Sequence, residues 1–292
     1  MAKIIRVVHR TEYRYSQPVT LKRHRLLLRP RDGHDLWVDD AFLKITPAAR
    51  LTWFFDAFGN SVANAEFAQQ SDRLYIESEL HLRRYVSEQT VRQAAVHGSP
   101  FPCSYSAEDT IDLYPYLGLQ ERAEEAEIRA WLDSVISETP ATAFAYLEML
   151  SNAINARMRY SRRDAFGTQT AAETIQRGEG TCRDFAFLFM EAARLSGFAA
   201  RFVTGYLQIP ANEGTLVGAG ATHAWADVYI PGEGWIEFDP TNRIIAGRSL
   251  IRVGTTRTPE QASPILGTYE GPSSAFIGMT VGVEISEFEK DV

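Results

Sequence analysis

The chain has 292 residues and a formal net charge of −7, with 45% apolar and 23% charged side chains. That is enough for two ordinary domains or one large one, and too apolar for a disordered chain. The acidic balance argues against a nucleic-acid partner, which requires a basic excess.

In chain order, residues 1–6 enter an alternating pattern without the apolar stretch of a secretory signal. No apolar run reaches the roughly 20 residues that span a bilayer. The expected address is cytoplasmic, with no membrane partner. Residues 4–8, 26–28, 36–45, 51–55, 61–67 and 74–86 read as short strands rich in β-branched and aromatic side chains. Turn chemistry separates them, most clearly at Asp56-Ala57-Phe58-Gly59-Asn60, where Gly59 can supply the positive φ of a hairpin loop. Strands at this spacing predict an N-terminal β-sandwich over residues 1–100. The basic stretch Lys22-Arg23-His24-Arg25, with Arg29 and Arg31, is expected on a solvated strand face, an anion site being the alternative. Residues 98–118, with Gly98, Pro100, Pro102 and Pro115, read as the connection between domains, the linker being set at 101–120.

From residue 121 the pattern changes to helical periodicity over 121–137, 141–158 and 171–177. A further helix follows Cys182 and stops at Gly197. Strands are expected over 198–209, 223–230, 235–239 and 276–285. Helices followed by an antiparallel sheet predict an α+β domain over 121–292.

Thr181 and Asp184 stand in the [ST]-x-x-[DE] relation of a capping box, directly before an apolar run. Cys182 is then the first residue of a buried helix. There the helix dipole and free amides favour thiolate over thiol and offer an oxyanion hole. Gly178 and Gly180 allow close approach of the backbone. The other cysteine, Cys103, has no such setting; the two lie far apart, with no disulfide framework and no metal-ligand spacing. A cysteine of this kind is either a nucleophile or a buried filler.

Of six histidines, only His223 lies in the half of the chain that carries Cys182; His9, His24, His34, His81 and His97 precede it. His223 opens a strand that turns through Pro231-Gly232-Glu233-Gly234 and returns to Asp239, so base and orienting acid fall at the same end of a hairpin. Side chains alternate faces along a strand. A four-residue loop over 231–234 would set Asp239 opposite Ala226, on the wrong face; a five-residue loop or one bulge sets it opposite Trp225, diagonal to His223. The hairpin must therefore have an odd register. Asp227 and Glu237 are rival acids, and Pro240 favours Asp239 by holding it extended.

Four blocks carry a resemblance to a known family: Gly180-Thr181-Cys182-Arg183-Asp184-Phe185-Ala186, Ala200-Arg201-Phe202-Val203-Thr204-Gly205-Tyr206, His223-Ala224-Trp225, and Gly234-Trp235 with Phe238-Asp239-Pro240-Thr241-Asn242. In this order they resemble the bacterial transglutaminase-like family. Arg29-Pro30-Arg31 and the Asp56 to Asn60 loop are similar to its N-terminal β-rich domain. The resemblance implies a papain-like core with Cys182 as nucleophile, His223 as general base and then acid, and Asp239 as orienter. It implies a peptidase or amidase, or a transglutaminase, acting on a peptide or protein amide. Neither cofactor nor metal is expected: there is no EF-hand-like loop of carboxylates, and no HExxH spacing for a metal hydrolase. The alternative is a catalytically silent module that binds peptides or proteins with this fold.

Overall fold

The computed structural model describes residues 3–85, 98–163, 167–209, 216–218, 220–247 and 249–289; the expected strand end at Val86 and His97 lie outside them. The N-terminal part is two antiparallel sheets, as expected. Its strands are β1 (Lys3–Leu21), β2 (His24–Arg29), β3 (Leu36–Thr46), β4 (Ala49–Phe55), β5 (Ser61–Phe67) and β6 (Ser71–Arg84). In one sheet β6 lies between β1 and β3; in the other β5 lies between β2 and β4. Strand periodicity places Leu74, Ile76, Leu80 and Leu82 of β6 on the inner face, where Leu26, Leu28, Ala63 and Ala65 meet the first two from the second sheet. Gly59 takes φ 77° in the β4–β5 loop.

The basic stretch is matched by the protein's own acids. Arg25 pairs with Asp56 at 2.9 Å, Arg23 with Glu66 at 2.9 Å, and Lys22 with Glu270, while His24 is buried. The expected linker is partly helical. Helix α1 (Ala107–Leu117) is capped by Ser106, whose hydroxyl accepts from the Asp109 amide at 2.9 Å. Its internal Pro115 reads as a breaker in sequence, but the cap and the run before it are sufficient to form the helix.

The second part carries α2 (Glu125–Val135), α3 (Ala143–Arg157), α4 (Ala171–Arg177) and α5 (Cys182–Leu195). They precede an antiparallel sheet of β7 (Ala199–Leu207), β8 (Thr222–Ile230), β9 (Gly234–Asp239) and β10 (Leu250–Thr256), in the order β9–β8–β7–β10. The even face of β8 (Ala224, Ala226, Val228) packs under α5, whose Phe185, Phe189 and Ala193 share one core with Phe238. Small residues on the strand let the helix lie close. Strand β10 has no counterpart among the expected elements, because Arg252 and Gly254 interrupt its apolar run.

The last strand, β11 (Phe276–Glu289), corrects the expected organisation. It does not complete the second sheet but pairs antiparallel along β1, from Ile4↔Phe288 to Tyr15↔Phe276. Residues 265–266 pair with β2, and 269–270 with β1. The 121–292 unit is thus not contiguous: its end returns to the N-terminal sheets. The reason is an uncovered edge of β1, which β11 fills while Val283 and Ile285 join Val7 and Leu80 in a core. That core also includes Tyr206, Ile251 and Val253 of the second sheet. The Asn60 side chain adds a two-way link, donating to the Thr255 carbonyl at 2.8 Å and accepting from its amide at 2.9 Å. Among the described residues, no helix is long and apolar enough to cross a membrane.

Candidate active site

The position of Cys182 is fixed by its own neighbourhood in sequence. Helix α4 ends at Gly178, whose φ of 63° turns the chain without a Cβ penalty. Residues 179–180 then run parallel to 159–160, with Tyr160 beside Gly180. The capping box forms. The Asp184 carboxylate, fully buried, accepts from the Thr181 amide at 2.7 Å and its hydroxyl at 2.9 Å. Its other oxygen accepts from the Gln169 amide at 2.7 Å and from Arg163 at 2.8 Å. Asp184 is therefore an anchor for the start of the helix. Gly180 has no room for a side chain: a Cβ there would stand 2.8 Å from the Asp184 Cβ. Cys182 follows as the first helical residue, buried, beside the free amides of the first turn.

The β8–β9 hairpin has an odd register. Ile230 pairs with Gly234 across a three-residue loop, and Ala226 pairs with Phe238; the next step sets Asp239 opposite Trp225. The loop is shorter than the five residues expected, but the register is the same and needs no bulge, because Gly232 and Gly234 both take positive φ. His223 Nε2 lies 2.8 Å from Asp239 Oδ2, and both residues are buried. Neither rival reaches the ring: Asp227 pairs with Arg201 at 2.9 Å, and Glu237 faces Asp227 across the hairpin.

Burial disfavours charge on both members of the pair, yet each is shifted toward its charged form. His223 is desolvated, but Asp239 and Cys182 outweigh that cost and push its pKa up to about 10. Burial likewise opposes the Asp239 carboxylate. The charge and hydrogen bond of His223, with bonds from Asn242 Nδ2 and the Thr241 amide, both 2.9 Å, still hold it below its ordinary value. His223 Nδ1 makes no hydrogen bond among the described residues. The Cys182 thiol also acts on the ring, raising its pKa further.

Several residues around this centre escaped the sequence reading. Asn242 holds Asp239 and also the Val217 backbone, accepting from its amide at 2.8 Å and donating to its carbonyl at 3.1 Å. Asn155 of α3 donates to the Thr241 carbonyl at 2.7 Å, fixing the turn behind the acid. Gly218, at φ 93°, lies over the imidazole, and a Cβ there would be 3.0 Å from Nδ1. Tyr160 comes to the same place from the strand beside Gly180. The Asp239-Pro240-Thr241-Asn242 block was the only signal for Asn242; the other three have no local signature. Cys103 is only half-buried and lies away from the imidazole, beside Tyr105.

A helix-borne thiol, an imidazole and a carboxylate from a neighbouring antiparallel hairpin, and a β-sandwich before them define a papain-like thiol architecture. The chain belongs to the transglutaminase-like superfamily: residues 129–240 match that superfamily, and residues 5–83 match the bacterial transglutaminase-like N-terminal region. An uncharacterized protein of Mycobacterium tuberculosis (strain ATCC 25618 / H37Rv) is 30% identical over 308 residues, covering 98% of this chain and 93% of the relative. An uncharacterized protein of Mycobacterium leprae (strain TN) is 26% identical over 300 residues, covering 96% and 98%. A crystal structure from Cytophaga hutchinsonii, described as a candidate cysteine protease, superposes with a TM-score of 0.74. It is 17% identical and the match covers 100% of this chain and 93% of that one; at that identity the fold is what is shared.

Proposed function

We propose that the protein is a thiol acyl-transfer enzyme acting on an amide of a peptide or protein, with Cys182, His223 and Asp239 as its catalytic triad. The observation that carries this reading is the buried His223–Asp239 pair, whose remaining ring nitrogen makes no hydrogen bond among the described residues while the thiol at the start of a buried helix acts on the same ring. Asp239 sets the ring's orientation and sustains the imidazolium. Cys182 adds to the carbonyl carbon, and the carbonyl electron pair moves to oxygen. Collapse of that adduct expels the amine, which takes its proton from His223, leaving a thioester on Cys182. Water as acceptor gives a peptidase or amidase; a primary amine gives transglutamination.

The test is turnover of a peptide library by purified protein, with and without an added primary amine, alongside Cys182→Ala. Product formation by the native chain and none by the variant, with both melting alike, is the expected result. Equal activity in both proteins would remove Cys182 from the chemistry. No activity in either, together with peptide binding by both, would make this fold a binding module.

A further inference from the structure

The triad supplies nucleophile, base and orienter but leaves one requirement open. A carbonyl under attack by a thiolate develops negative charge on oxygen, and one backbone amide at the start of α5 seldom suffices to hold it. Effective sites aim a second fixed donor at that oxygen.

Tyr160 is placed to be that donor. Its backbone is fixed beside the residue two before the nucleophile: the Arg159 amide donates to the Gly178 carbonyl at 2.8 Å, and the Ser161 amide to the Gly180 carbonyl at 2.9 Å. Its ring stands edge-on to Phe185, centroids 6.4 Å apart, so the helix that carries the thiol also sets the direction of the phenol. The hydroxyl and His223 Nδ1 flank one point, the position a Cβ on Gly218 would occupy, at 3.9 and 3.0 Å. Glycine at 218 keeps that point open. The hydroxyl makes no hydrogen bond among the described residues, although the side chain is half-buried. Burial first, and the Cys182 charge next, raise its pKa, so at neutral pH it holds its proton and can only be a donor toward an anion.

We propose that the Tyr160 hydroxyl donates a hydrogen bond to the oxyanion formed when Cys182 adds to an acyl carbonyl, acting with the backbone amide at the start of α5. This rests on the thiol acyl-transfer reading. In the step itself the S–C bond forms and the carbonyl π pair becomes the oxyanion. Tyr160 keeps its proton throughout, and the leaving group is protonated from His223.

Two reagents separate this role from others. p-Nitrophenyl acetate acylates a thiolate through a tetrahedral oxyanion; iodoacetamide alkylates it by displacement of iodide, with no oxyanion. In Tyr160→Phe, which keeps the ring on Phe185, acylation of Cys182 should slow roughly 100-fold. Iodoacetamide labelling should stay within about twofold of the native rate. Acylation at the native rate in the variant would overturn the proposal. So would an equal fall in both rates, because Tyr160 would then be acting on the thiol. A native protein that iodoacetamide labels at Cys182 but that p-nitrophenyl acetate leaves unacylated would instead sink the acyl-transfer reading, and this inference with it.

Discussion

At the residue scale, the site depends on charges kept where burial opposes them. The His223 pKa is raised from 6.5 to about 10, so its contribution to stability is fully present below pH 6.5 and is lost as pH rises through about 10. His223→Gln lacks this contribution. The gap in melting temperature between the native protein and this variant should therefore narrow from pH 6 to pH 10.5; a gap that stays constant would show that the imidazolium is not what holds the pair. Gly205 supports the same residue sterically. It lies opposite His223 on β7, and a Cβ there would overlap the Ile251 carbonyl oxygen and stand 2.6 Å from the Trp225 ring. Neither a central strand nor a buried indole can yield cheaply. Gly205→Ala should cost about 3 kcal/mol, the upper range for overpacking, read as a lowered midpoint in urea unfolding. An unchanged midpoint would mean that β10 can slide away from β7.

At the element scale, the β8–β9 hairpin carries two carboxylate pairings with opposite consequences. At its open end Asp239 meets the His223 ring, whose pKa it raises. Two residues further along, Glu237 faces Asp227, and burial, then that neighbouring charge, push its pKa up to about 7. A carboxyl raised in the folded state contributes stability below its unfolded value, about 4.5, and loses it as pH rises through about 7. Glu237→Gln stays neutral, so it should gain in melting temperature relative to the native protein between pH 5 and pH 8; a loss at pH 8 would show that Arg252, 3.9 Å away, matters more than Asp227. The capping box is local in another sense. Asp184→Ala strands Arg163 and three other donors around the start of α5, and should cost about 3 to 5 kcal/mol. Features of this range were legible in the sequence. Thr181 with Asp184, and the parity linking His223 to Asp239, are contained in spans of four and seventeen residues whose chemistry points one way. Tyr160, Asn155 and Gly218 were not, since each acts on a residue reached only through the fold. Strand β10 was missed because a strand between two cores need not alternate cleanly.

At the scale of the whole molecule, the two halves interlock. A sequence reading divides the chain where composition changes, at residue 121, but the decisive contact lies between β1 and β11, more than 250 residues apart along the chain. Alternation in 276–285 identifies a strand without naming its partner, and a nearby sheet was the economical assignment. The structure spends that strand on the N-terminal module instead, and the module in turn covers Tyr206, Ile251 and Val253 on the far side of the second sheet. His9 continues the contact, its Nδ1 lying 3.1 Å from the Tyr206 hydroxyl. The second half alone would therefore carry two exposed apolar surfaces: the outer face of β7 and β10, and β11 without β1. An unpaired strand edge of that length promotes association between chains. Residues 121–292 expressed alone should form soluble aggregates in size-exclusion chromatography and lack a cooperative melting transition, whereas the full chain melts as one unit. Supplying residues 1–120 as a separate chain should restore that transition, because the lost contacts are non-covalent. A monomeric 121–292 fragment that melts cooperatively and labels at Cys182 at the native rate would show that the N-terminal module is dispensable for holding the site.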